Sequence, residues 1–205
     1  MVRVFSKTRL TVIGAAALAA ALVGSGGGAG AAATSAHRAP HAAHASKAPS
    51  LAVTLAFIRD KVAQQGQLAY ASSTHDPEKN QTWDNQFTVE ASSVTSDPAE
   101  CTIDFHWHST VDGKQAQDLD SEIQFKIVTS VGITSMDEDV ARLNARDGHS
   151  AWVSQMRPTV WVLLVQKSDG HTNTLDFRDR DMAERVAKAI RHAADLCGGT
   201  KSLPF

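Results

Sequence analysis

The chain has 205 residues, 42% of them hydrophobic and 20% charged, enough for one domain with a buried core and some additional chain. Lys plus Arg number 20 against 22 Asp plus Glu, and the pI is near 6.5, so no basic surface advertises nucleic acid. The apolar runs fall short of about 18 residues, which excludes a multi-span membrane protein.

Arg3, Lys7 and Arg9 precede an apolar stretch from Leu10 to Val23 and a small-residue segment from Gly24 to Ala33. This is the three-part form of a secretory signal peptide over residues 1–33, with Ala29-Gly30-Ala31 or Ala31-Ala32-Ala33 offered for cleavage. The expectation is export to the periplasm or beyond, with no membrane span left after cleavage. No cysteine precedes Cys101, so acylation of a new amino terminus is not expected. The leader holds three basic and no acidic side chains, and its removal leaves 17 basic against 22 acidic, a net charge of −5. Such a domain is repelled by anionic lipid and by nucleic acid backbones, which sets aside phosphoinositides and nucleic acid as partners.

Residues 34–50, TSAHRAPHAAHASKAPS, contain no large apolar side chain and are expected to form a flexible linker. His37, His41 and His44 have the spacing of one helical face, but Pro40 disfavours the helix that would align them for a metal.

One globular domain is expected over residues 51–205. Leu51, Leu55, Ile58 and Val62 recur at helical spacing before Gly66, predicting an amphipathic helix over 50–65. Gln67 to Ser72 and Gln86 to Val94 are weaker strand candidates. From Cys101 to His108 the alternation is strict: Cys101, Ile103, Phe105 and Trp107 share one face, and Thr102, Asp104, His106 and His108 the other. Leu119 to Val128 repeats the pattern, with Leu119, Ile123, Phe125 and Ile127 expected inward. Met136 to Asn144 is left open between short helix and loop, and Ser150 to Met156 is a further strand candidate. Val160 to Val165 is a continuous apolar run suited to a buried strand. Ser168-Asp169-Gly170 marks a tight turn before a short strand from Thr172 to Phe177. Asp181 and Glu184 have capping-box spacing, and Met182, Val186, Ile190, Ala193 and Cys197 form an apolar stripe that Gly198-Gly199 ends.

Helix, six or seven antiparallel strands and closing helix spell an α+β fold with a bent sheet or small barrel. Leu175-Asp176-Phe177 followed by AERVAKAIRHAADLC, Ala183 to Cys197, resembles the end of uncharacterised exported bacterial proteins with a pleckstrin-homology-like (PH-like) domain. The resemblance spans about Leu68 to Gly199 and implies a seven-stranded bent barrel capped by one helix, with a binding role rather than catalysis. The basic loop with which lipid-binding members of that superfold hold phosphoinositides has no counterpart, since Asp112-Gly113-Lys114 carries a single lysine.

Three groups of residues bear chemistry. Cys101 on an inward strand face and Cys197 on an inward helix stripe predict a disulfide in an oxidising compartment. His106 and His108 alternate onto one strand face and form the start of a metal site, with His75, His149, His171 or Asp104 as candidate third ligands. The same histidines also suit a plain solvated sheet face. The carboxylates Asp118, Asp120 and Glu122, with Asp176, Asp179 and Asp181, read as a solvated strand face and helix caps, and no nucleophile elbow, phosphate loop or zinc-protease motif accompanies them. No cofactor motif is present. Trp107 and Trp161 are expected in the core, while Trp83 and Trp152 are unassigned. These observations favour a non-catalytic exported module that binds a protein, peptide or small ligand at a sheet edge or groove, with a metal-binding protein or metal-dependent hydrolase using His106 and His108 as the alternative.

Overall fold

The computed structural model describes residues 48–65 and 67–199. The expected signal peptide, the linker before Ala48 with its three histidines, and Gly66 lie outside the described residues.

Helix α1 (Leu51–Gln65) opens the domain, and β1 (Gln67–Asp76), β2 (Gln81–Asp97), β3 (Thr102–Val111) and β4 (Lys114–Gln124) follow as an antiparallel meander. A short 3-10 turn at Phe125–Ile127 leads into β5 (Val128–Ser135), then α2 (Met136–Arg146), β6 (Val153–Arg157), β7 (Trp161–Lys167), β8 (Thr172–Phe177) and α3 (Arg180–Leu196). One sheet has the order β4-β3-β2-β1-β6 and the other β5-β7-β8. The α+β class, the opening helix and the closing helix agree with the sequence. The strands number eight rather than six or seven, in two sheets, with no closed barrel among the described residues.

The helical stripe of α1 buries Leu55, Ile58 and Val62, and α3 buries Val186, Ile190 and Ala193 as its periodicity predicts. Both stripes enter one core with Ile103 and Phe105 of β3, Ile123 of β4, Leu163 and Val165 of β7, and Leu175 and Phe177 of β8. Ala183, Ala187 and Ala194 are also buried, and their small side chains let α3 lie close to the sheet. Met182 and Cys197 sit at the margin of this core. A second cluster joins Leu68 and Tyr70 of β1, Val89 of β2, Met156 of β6 and Val160, with the Tyr70 and Phe87 rings stacked 5.1 Å apart.

Chain reversals follow their local chemistry. Asp112 and Gly113, with φ of 51° and 73°, make the left-handed pair of a two-residue hairpin between β3 and β4. After α3, Gly199 N–H donates to Ala194 O and Gly198 N–H, at φ 76°, to Asp195 O, the paired bonds that close a helix on glycine. The expected turn at Ser168-Asp169-Gly170 is present, with Asp169 Oδ1 accepting from His171 N–H at 2.9 Å.

Several expectations are corrected. Leu119–Val128 is not one strand: the chain leaves the first sheet at Phe125–Ile127 and starts β5 in the second. Leu119 lies on the core-side face opposite Trp107, as its parity requires, yet it is 44% exposed, because β4 is an edge strand that runs beyond the core. The cap of α3 is Asp179, whose side chain accepts from Asp181 N–H, while Glu184 pairs with Arg180 instead of completing a capping box with Asp181. The capping box belongs to α2: Ser135 accepts from Glu138 N–H, and Glu138 accepts from Ser135 N–H. That motif settles the open segment from Met136 as a helix.

Candidate functional site

The predicted disulfide is present between Cys101 and Cys197, 96 residues apart in sequence. It ties the residue before β3 to the residue that ends α3. For a loop of about 100 residues the chain-entropy model assigns about 4 to 5 kcal/mol of stabilisation. Both cysteines are consumed, so the pair is a structural staple.

His106 and His108 project from the outer face of β3, and the register sets His106 opposite Asp120 and His108 opposite Asp118. His106 Nδ1 lies 3.0 Å from Asp120 Oδ1, and its Nε2 lies 2.5 Å from Asp118 Oδ1. Carboxylates only accept hydrogen bonds, so the two contacts favour the form of His106 in which both ring nitrogens donate. The bond to Asp120 raises its pKa above the ordinary histidine value, partial desolvation opposes this, and Asp118 adds to the rise. A metal ligand needs a neutral imidazole with a free nitrogen, which this arrangement does not leave on His106. His108 Nδ1 stands 3.7 Å from the other oxygen of Asp118. Of the candidate third ligands, His75 bonds Thr82, His149 stacks on Trp152 and His171 follows the turn before β8, while Asp104 stands on the same strand face one row from His106. Among the described residues no three His, Cys, Asp or Glu side chains are gathered to hold a metal ion.

One row further along the same face, Asp104 stands directly opposite Glu122. Like charges opposed across a strand pair are destabilising, and neither carboxylate has a cationic side chain in ion-pair contact among the described residues. An open groove of about 470 Å³ runs here, lined by Ser93, Asp104, His106, Asp120, Ser121 and Glu122 together with Phe105. Its floor passes a β-bulge in β2 between Ser92 and Thr95, where Ser93 takes φ 52°. Bulges of this kind bend a strand and re-aim its neighbours.

The backbone of β4 adds to the site. Phe125 N–H donates to Cys101 O, which fixes the phase of the β3–β4 ladder. By alternation, Leu119 and Ser121 exchange their backbone bonds with Trp107 and Phe105, whereas Asp118, Asp120 and Glu122 turn their N–H and C=O groups away from β3. Among the described residues no strand pairs with that side of β4, and Lys114 to Asp120 are all exposed. The open run ends near Ser121, where the Asn173 side chain of β8 reaches Ser121 Oγ at 3.4 Å. The opposite edge of the sheet differs, because α2 covers β6 and Asp137 accepts from Met156 N–H.

Asp176 departs from the expected solvated set. It lies half-buried beside a small cavity lined by Leu68, Val89 and Trp107. Burial, and then repulsion from Asp139, push its carboxyl up to about 7. Burial also raises the Tyr70 hydroxyl, with the Asp176 charge adding to it. Alternation places Asp176 opposite in face to Leu175 and Phe177, but sequence gave no sign that this second face is also covered. Trp107 and Trp161 flank the core as expected, and Arg180 lies over the Trp161 ring at 4.9 Å. Trp83 and Trp152 meet at 5.3 Å, a pairing that no sequence spacing indicated.

No helix among the described residues is long and apolar enough to cross a membrane. Comparison with protein-family models, with curated proteins and with solved structures returned no match to this chain.

Proposed function

We propose that this protein is an exported, non-catalytic binding module of the cell envelope that receives an extended segment of a peptide or protein along the open edge of β4. The carrying observation is the edge itself, with exposed residues from Lys114 to Asp120 and backbone groups of Asp118 and Asp120 that no strand among the described residues uses. An added strand takes its affinity from such main-chain groups and its specificity from alternate side chains. Export follows from the signal-like residues 1–33 and accords with the disulfide. The resemblance to PH-like exported proteins supports binding over catalysis, and His106, already engaged by two carboxylates, does not favour the metal-dependent alternative.

Leu119 supplies the test. It is 44% exposed on the face opposite the carboxylates and would meet an alternate side chain of an added strand. Leu119→Asp is expected to change stability by no more than about 0.5 kcal/mol, as exposed substitutions do. Titration with the alternating peptides (Thr-Val)4 and (Lys-Val)4, followed by tryptophan fluorescence, is expected to show saturable binding that the variant weakens at least severalfold. Absence of binding by either peptide, or equal binding by the variant, contradicts the proposal.

A further inference from the structure

Three features meet at the β4 edge and specify its partner more narrowly. The first is the phase of the ladder, which turns the backbone groups of Asp118 and Asp120 outward along the open run, so the residues of an added strand that lie opposite them share their face, which is also that of Asp104 and Glu122. The second is the uncompensated pair of Asp104 and Glu122, opposed on adjacent strands with no cationic side chain in ion-pair contact among the described residues. A cation placed in that row removes a repulsion the free protein carries. The third is Leu119, which leaves an apolar contact open on the other face beside Trp107.

Resting on the edge-binding reading above, we propose that the partner is an extended cationic segment with period two, its basic side chains at alternate positions over Asp118 and Asp120, the one over Asp120 reaching along the groove toward Asp104 and Glu122, and its apolar side chains on the Leu119 face. The rows fix the order of recognition. The basic residue over Asp120 lies in the row where the His106 ring already engages the carboxylate, and its long side chain reaches diagonally to the next row, Asp104 and Glu122, where the negative charge is unopposed. The strongest attraction is therefore at the Glu122 end. The same carboxylates exclude a second copy of this chain as the occupant, since two β4 edges brought together oppose acid with acid. The groove of about 470 Å³ over the β2 bulge gives a lysine or arginine stem room to lie against the sheet.

The test compares four peptides against the full protein by titration at low salt: (Lys-Val)4, (Thr-Val)4, (Glu-Val)4 and a block peptide of four Lys followed by four Val. The expected result is that (Lys-Val)4 binds about five- to tenfold more tightly than (Thr-Val)4, the gain of two or three exposed cross-strand charge pairs. The advantage should shrink severalfold in 0.5 M salt, and (Glu-Val)4 should bind most weakly. Asp104→Asn and Glu122→Gln should each erase part of the lysine advantage while raising thermal stability, because each relieves the like-charge pair; a variant that had merely misfolded would lose both. Equal binding of the Lys and Thr peptides leaves the edge reading intact and overturns this inference. Block and alternating lysine peptides binding alike also overturns it, by showing adhesion without register. If no peptide binds, or if the protein alone forms a dimer through β4, both readings fail.

Discussion

Asp176 gains its character from two surfaces at once: a strand that turns Leu175 and Phe177 into the main core, and a cavity beside Leu68, Val89 and Trp107 that holds the intervening carboxyl away from bulk water. Its pKa rises from 3.8 to about 7. Between those values the folded protein retains a proton that the unfolded chain has released, so this group's contribution to stability falls as pH rises from about 4 to about 7 and is level beyond. Asp176→Asn keeps the shape and removes the ionisation. Melting curves at several pH values are expected to show the variant gaining on the wild type from pH 4.5 to pH 7.5, whereas two parallel curves would sink this account of the site. The alternation around Asp176 was legible in sequence, but its burial was not, because a six-residue strand does not say whether its second face meets water or a neighbouring sheet. His106 and His108 were legible as an outward pair for the same reason. Their engagement by Asp118 and Asp120 depends on the register across a hairpin, which a pattern within one strand does not contain.

Elements were legible where one periodicity ran without interruption. Helix α3 showed its stripe and its glycine stop, β8 its bounds, and Cys101 and Cys197 the seam they share. The join between β4 and β5 was not legible, since Phe125 and Ile127 continue the alternation through a turn that transfers the chain to the other sheet. Alternation reports a face; it does not report which strand lies alongside. The cap of α3 was misplaced by two residues because Asp179 and Asp181 are both suitable acceptors, and only the backbone conformation at Asp179 decides between them. At this scale the disulfide is the strongest single link, joining the start of β3 to the end of α3. Replacing both cysteines with alanine is expected to cost about 2 to 5 kcal/mol in urea unfolding. A loss below about 1 kcal/mol would mean that the helix needs no staple to keep its place on the sheet.

The molecule as a whole divides its chemistry between its two faces and its two sheet edges. The inner faces are occupied by α1, α3 and the two apolar clusters, and the edge at β6 is covered by α2. The outer face of the first sheet is polar and, near β4, acidic, in keeping with the net charge of −5 that remains beyond residue 33. The free edge therefore carries the carboxylates of Asp118 and Asp120, with Glu122 beside it. The acidity of the chain beyond residue 33 was legible from composition. The open edge was not, because it is a property of strand order. Amide hydrogen exchange of the full protein with and without (Lys-Val)4 reads the β4 edge residue by residue. The peptide is expected to slow exchange at Asp118 and Asp120, whose N–H groups face outward, while Leu119 and Ser121, already bonded to β3, change little. Slowing that falls elsewhere on the molecule, or no slowing at all, would contradict binding at this edge.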